Sequence, residues 1–191
     1  AISQLADQGL IGGLDLRYML QSNAAFYAPL FPPGQVDSAL YPGQAYLMLI
    51  SYAFLHAGTI HVLMNTVILI ALAKTLAVRF GVGFVLSSMG LGAISSSIFF
   101  GYLSDTSAYM IGSSGVVFSL IGLWLYMGRI DAPMLGTPTR SIISILIGLV
   151  VVHVLLHIFM GGQIAWQAHL GGFVMGYFVM PWFVRLGMWK V

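Results

Sequence analysis

Five stretches of this chain stay apolar for about the 20 residues a helix needs to cross the hydrocarbon of a bilayer. They run over 58–78, 82–103, 112–128, 141–160 and 166–186. Lipid offers the backbone no hydrogen bonds, so only helices and closed barrels span it. Barrel strands are short and alternate in polarity, whereas these runs are long and continuous. The expected fold is therefore an all-α polytopic membrane protein. Charge agrees: 6% of the 191 residues are Asp, Glu, Lys or Arg, and mean hydropathy is +0.96. A soluble domain carries about a quarter charged residues.

The inventory excludes several chemistries. With no cysteine, there are no disulfides, no thiol catalysis and no cysteine-ligated zinc or iron–sulfur centre. A scattered net charge of +2 points away from nucleic acid. The acids are Asp7, Asp15, Asp37, Asp105 and Asp131, and glutamate is absent.

Positive charge gives the spans a direction. Lys74 and Arg79, Arg129 and Arg140, and Arg185 and Lys190 fall on one side of alternating spans, leaving Arg17 on the other. The positive-inside rule makes the first side cytoplasmic and puts the C-terminus there. Two regions are expected: an outer-face segment over 1–57, and a transmembrane core over 58–191. In the first, 27–34 (YAPLFPPG) reads as a loop, and 45–55 as a partly embedded helix on the outer face. The chain has no initiator Met and is expected to be a fragment lacking its upstream part.

Polar groups inside membrane spans are costly and tend to be functional. His61 and Asn65 are four residues apart and share one helix face, in the outer part of the first span. Ser114 opens the third span from the outer face, within Gly112-Ser113-Ser114-Gly115. His169 lies in the outer turn of the last. Three helices thus bring Ser, His and His/Asn to one depth, which is what nucleophilic catalysis requires. A serine needs a base within reach to take its proton, and His169 can be that base. An oxyanion needs aimed donors: the Ser114 N–H at a helix start, and the side chains of His61 and Asn65. Every aspartate lies outside the spans or at their ends, so a Ser–His dyad is expected, with other polar groups orienting the imidazole.

Plainer readings compete. Alone, the Gly112–Gly115 knot is more often close helix packing than catalysis. Gly172 and Gly176 form a G-x-x-x-G packing pair facing the helix that carries Ser114. Ser95, Ser96 and Ser97 read as a small-residue face, and His56 as a tie for the outer loop. His153 and His157, at i and i+4, could hold a metal or haem, but no acid accompanies them. No metal and no cofactor is expected.

These motifs together resemble the rhomboid intramembrane serine proteases. The matching residues are His56, His61 and Asn65 on one helix, Gly112-Ser-Ser114-Gly115 at the start of another, and His169, Gly172 and Gly176 on the last. The resemblance covers about 40–187. It implies a rhomboid-like bundle with Ser114 as nucleophile and His169 as general base. His61, Asn65 and the Ser114 backbone would form the oxyanion hole, with His56, Gly112, Gly115, Gly172 and Gly176 in support. It also implies transmembrane protein substrates cut in or beside their membrane helix, and a place in a bacterial inner membrane with the site open to the non-cytoplasmic face. The family core has six spans and this chain shows five, the first missing or truncated. The family's early Trp-Arg pair is absent from the aligned 45–48 (AYLM). The fifth family helix and the loop after it would be 141–160 and 161–165, with Gly161 and Gly162 as a mobile cap. The alternative is a non-proteolytic relative that captures membrane helices.

Overall fold

The computed structural model describes residues 13–34, 39–104, 109–131, 139–159 and 164–185. Within them the five apolar runs are helical. They form α3 (Thr59–Phe80), α4 (Val82–Leu103), α5 (Ser114–Asp131), α6 (Thr139–Phe159) and a long final helix. That last helix is built from α7 (Trp166–Val174), a π-helical turn (Met175–Val179) and α8 (Met180–Arg185). α3 and α4 are long and apolar enough on their own to cross a membrane; α5 and α6 contain the shorter apolar stretches Ser114–Ile130 and Ser144–Leu155. Gly81, at φ +82°, separates α3 from α4 and donates its N–H to the Ala77 carbonyl at 2.9 Å. A residue with a Cβ is strained in that conformation, so glycine ends the helix there.

The segment before the bundle has more regular structure than its sequence suggests. α1 (Gly13–Ala24) leads into β1 (Phe26–Tyr27) and a 3-10 turn (Ala28–Leu30), so the 27–34 stretch is a loop only in part. α2 (Gln44–Ser51) and a 3-10 turn (Tyr52–Phe54) account for the helix expected over 45–55. β1 pairs antiparallel with β2 (Tyr109–Met110), Phe26 opposite Met110 and Tyr27 opposite Tyr109. The two tyrosine rings stack at 4.8 Å, and Phe26 is fully buried. A second tie lies beside it. Gly112 donates its N–H to the Tyr52 carbonyl at 3.0 Å, while the Tyr52 hydroxyl donates to the Ala93 carbonyl at 3.0 Å. The turn that presents Ser114 is thereby fastened to both the outer segment and α4.

The core lies where α4, α5 and the final helix meet. α5 packs most extensively on α7 and also on α4 and α3, whereas the main contact of α6 among the described residues is with α5. Lipid tails are as apolar as leucine side chains, so membrane helices associate through close approach and hydrogen bonds. Both devices are present. A Cβ on Gly172 would collide with the Gly115 carbonyl, and one on Gly176 with the Ser119 carbonyl. A Cβ on Gly122 would come within 2.7 Å of the Phe173 carbonyl oxygen. The serine face of α4 does more than leave room. Ser95 donates to the Gly171 carbonyl at 2.8 Å, Ser97 to the Leu49 carbonyl at 3.2 Å, and Ser119 to the Ser88 carbonyl at 3.1 Å. Such bonds satisfy polar groups that lipid cannot.

Candidate active site

Ser114 is the first residue of α5, where backbone N–H groups have no partner within the helix. Gly112 precedes it at φ +119°, a conformation that favours glycine. The same residue gives space to His61: a Cβ there would lie 2.8 Å from His61 Cε1 and 3.0 Å from Nε2. From the final helix His169 reaches across, its Nε2 2.7 Å from Ser114 Oγ. This is hydrogen-bond distance between the candidate nucleophile and its candidate base. The Phe118 ring, one turn along α5 from Ser114, stacks on the His169 ring at 4.4 Å and 6° and fixes its plane.

The other nitrogen of His169 has a partner that sequence spacing did not reveal. Nδ1 lies 3.4 Å from Nδ1 of His153 on α6, with ring centroids 4.8 Å apart. Neutral His169 accepting from Ser114 at Nε2 carries its proton on Nδ1, and His153 Nδ1 is placed to accept it. His153 then holds its own proton on Nε2, a buried atom without a hydrogen-bond partner among the described residues. The spacing of His153 and His157 suggests only metal or haem; among the described residues no group of three ligating side chains forms. The signal in the sequence was its depth, nearly two turns from the outer end of its span, which brings it level with the His169 ring.

Asn65 is buried, and its Nδ2 has no hydrogen-bond partner among the described residues. An idle buried amide donor is uncommon and asks for a function. It lies one turn below His61 on α3, which packs on α5. His56 stands in the loop before α3. Its Nε2 is 3.1 Å from Ser113 Oγ and 3.5 Å from the Ser113 N–H, and its ring meets that of His61 at 5.1 Å. Burial, and then the neighbouring His61, lower its pKa from 6.5 to about 4. The ring is neutral at pH 7 and accepts from the Ser113 hydroxyl. The two serines of the knot thus bond different histidines. Gly115 lies against Ser96, its would-be Cβ 2.7 Å from that of the serine, and Gly172 lies against Gly115. The proposed cap at Gly161 and Gly162, and the joint containing Asp105, lie outside the described residues.

A family model for the rhomboid domain matches residues 43–186. The chain belongs to the rhomboid family. No curated protein matches it at a significant level. Rhomboid proteins are generally intramembrane proteases that act on transmembrane substrates within the bilayer. Family and fold together make this chain an integral membrane protein with an all-α, rhomboid-like bundle. The match spans every residue of the constellation above, from His56 to Gly176.

Proposed function

We propose that this rhomboid is a serine endopeptidase that cuts membrane-anchored proteins in or beside their transmembrane helix, using Ser114 and His169 as a dyad. The observation that carries this reading is the 2.7 Å contact between Ser114 Oγ and His169 Nε2, formed between two different helices. Ser114 Oγ attacks the scissile carbonyl carbon as its proton passes to His169 Nε2. The oxyanion that forms takes hydrogen bonds from the Ser114 N–H, Asn65 Nδ2 and His61. His169 returns the proton to the leaving amine. Water, deprotonated by the same nitrogen, then releases the acyl group from Ser114.

His153 supplies what an acid supplies in a triad. It accepts the Nδ1–H of His169, keeps the Nε2 lone pair aimed at Ser114, and strengthens its hydrogen bond when His169 becomes imidazolium. We also read the site as opening to the non-cytoplasmic face, on the strength of the positive-charge asymmetry, and the membrane as a bacterial inner membrane, on the family resemblance alone.

The test is cleavage of a model transmembrane substrate in vesicles. Ser114→Ala and His169→Ala are each expected to abolish it, and Ser113→Ala to retain part of it. A serine-directed phosphonate should label the parent protein and not Ser114→Ala. Full cleavage by Ser114→Ala would overturn the assignment; no cleavage by the parent, with no labelling, would favour a helix-capturing relative.

A further inference from the structure

The two helices that carry Ser114 and His169 meet again at their opposite ends. Arg129 stands in the last turn of α5, about 22 Å along the axis from Ser114 at 1.5 Å per residue. Its Nη1 donates to the Tyr177 hydroxyl at 3.2 Å. Arg185, the last residue of α8, places its guanidinium 6.0 Å from the centroid of the Tyr126 ring. The rings of Tyr126 and Tyr177 meet edge to face at 6.1 Å and 89°. Both arginines therefore rest on one pair of tyrosine rings.

Between them lies a cavity of about 150 Å³, lined by these four residues together with Phe178, Pro181 and Trp182. A second, larger cavity of about 420 Å³ adjoins it. It shares Phe178 and Trp182 and is completed by Val179 and Phe183, so its walls are apolar and aromatic. Phe178 and Trp182 are 57% and 63% exposed, as suits rings at a membrane–water interface. A basic recess that shares two walls with an apolar groove suits one amphiphile. Guanidinium groups suit phosphate oxygens, which they bind in bidentate fashion. Basic pockets between transmembrane helices are known to take anionic headgroups.

We propose that this end of the bundle binds an anionic phospholipid. Its phosphate lies between Arg129 and Arg185, and an acyl chain runs along Phe178, Val179, Trp182 and Phe183. The lipid bridges α5 and the final helix, the two elements that bring Ser114 and His169 together at the other end. The site does not depend on Ser114 being a nucleophile.

The test is native mass spectrometry of the whole chain in detergent, titrated with phosphatidylglycerol and with phosphatidylcholine of matched acyl chains. Each arginine near an anionic headgroup is expected to contribute about fivefold in affinity. Phosphatidylglycerol should therefore bind at least tenfold more tightly than phosphatidylcholine. Arg129→Gln and Arg185→Gln should each lose about fivefold, Arg129→Lys less, and Arg79→Gln, at the end of α3 and away from the cavity, nothing. Trp182→Ala should weaken both lipids alike. Equal binding of the two lipids would overturn the proposal, as would an Arg79→Gln loss matching that of Arg129→Gln, which marks a diffuse surface field. Displacement of the lipid by millimolar inorganic phosphate would also overturn it, since the site would then serve a free anion.

Discussion

The bundle joins its helices in two ways. Where α4, α5 and the final helix meet, backbone lies on backbone: Gly115 against Gly172, Ser119 against Gly176, and Gly122 against Phe173 and Tyr177. Serine hydroxyls stitch the same seam. α6 has no such seam among the described residues. It leans mainly on α5, and Ile147, Val150, Val151, Val154 and Leu155 stay exposed along its length. Yet His153 on this loosely held helix contacts His169. The distance between Ser114 and His169 is thus set by rigid backbone contact, whereas the partner of the imidazole's Nδ1 comes from a helix attached through side chains.

The largest effect is expected from closing the seam's free space. Gly172→Val drives its Cβ into the Gly115 carbonyl and should cost about 3 kcal/mol or more, since overpacked cores give little. Thermal unfolding in detergent should show the loss, and cleavage should disappear with it. A variant as stable and active as the parent would mean that the seam adjusts, and the contrast with α6 would fail.

A different pattern is expected at α6. His153→Phe keeps a ring beside Phe118 and removes the acceptor for His169. Losing the carboxylate of a full triad costs about 10⁴ in kcat, while lost orienting partners of metal-bound imidazoles cost about ten- to a hundredfold. A neutral imidazole should fall in the lower range, with KM and melting temperature nearly unchanged. His153→Asn should recover part of the loss. In the parent, ¹⁵N spectra of the His169 ring should show the proton on Nδ1. Parent-like kcat in His153→Phe, with the ring tautomer unmoved, would reduce His153 to packing.

The outer segment contributes a pH dependence of middling size. The His56 pKa falls from 6.5 to about 4 in the folded chain. As pH drops below 6.5 the unfolded chain takes up a proton that the folded chain refuses until near pH 4. The stability His56 contributes is therefore complete above pH 6.5 and drains away as pH falls towards 4, by at most about 2 kcal/mol at pH 5 and less as solvent screens the ring. The drop in melting temperature between pH 7 and pH 5 should shrink in His56→Asn, and an unchanged drop would relocate the titration. Smallest of all should be Val150→Leu on the exposed face of α6, within about 0.5 kcal/mol of the parent. A larger shift would reveal packing on that face.

The sequence disclosed the spans because apolar length alone dictates a helix in lipid, and α3 to α7 begin or end within a few residues of the runs. Candidate site residues that lie in short fixed spacings were equally visible: His61 with Asn65, the knot around Ser114, and His169 with its glycines. What stayed hidden depends on distant partners. α1 carries Asp15, Arg17, Gln21 and Asn23 among its apolar residues and shows no apolar run. β1 and β2 are two residues each, too short to have a pattern. The serine bonds of α4 and the approach of His153 to His169 require knowing which helix faces which, and no local spacing encodes that.

The π-helical turn at Met175–Val179 makes the final helix two rulers set out of step. One extra residue per turn offsets everything beyond it by about 100° from a continuous α-helix. Counting by threes and fours from His169 therefore places Trp182 and Arg185 on the wrong side. A related chain lacking that residue would align over both halves only with a one-residue gap. Deleting it from this chain would leave the His169 end in register while swinging Arg185 off Tyr126. The two ends of this helix can thus be inherited, lost or engineered separately, though they share one unbroken rod.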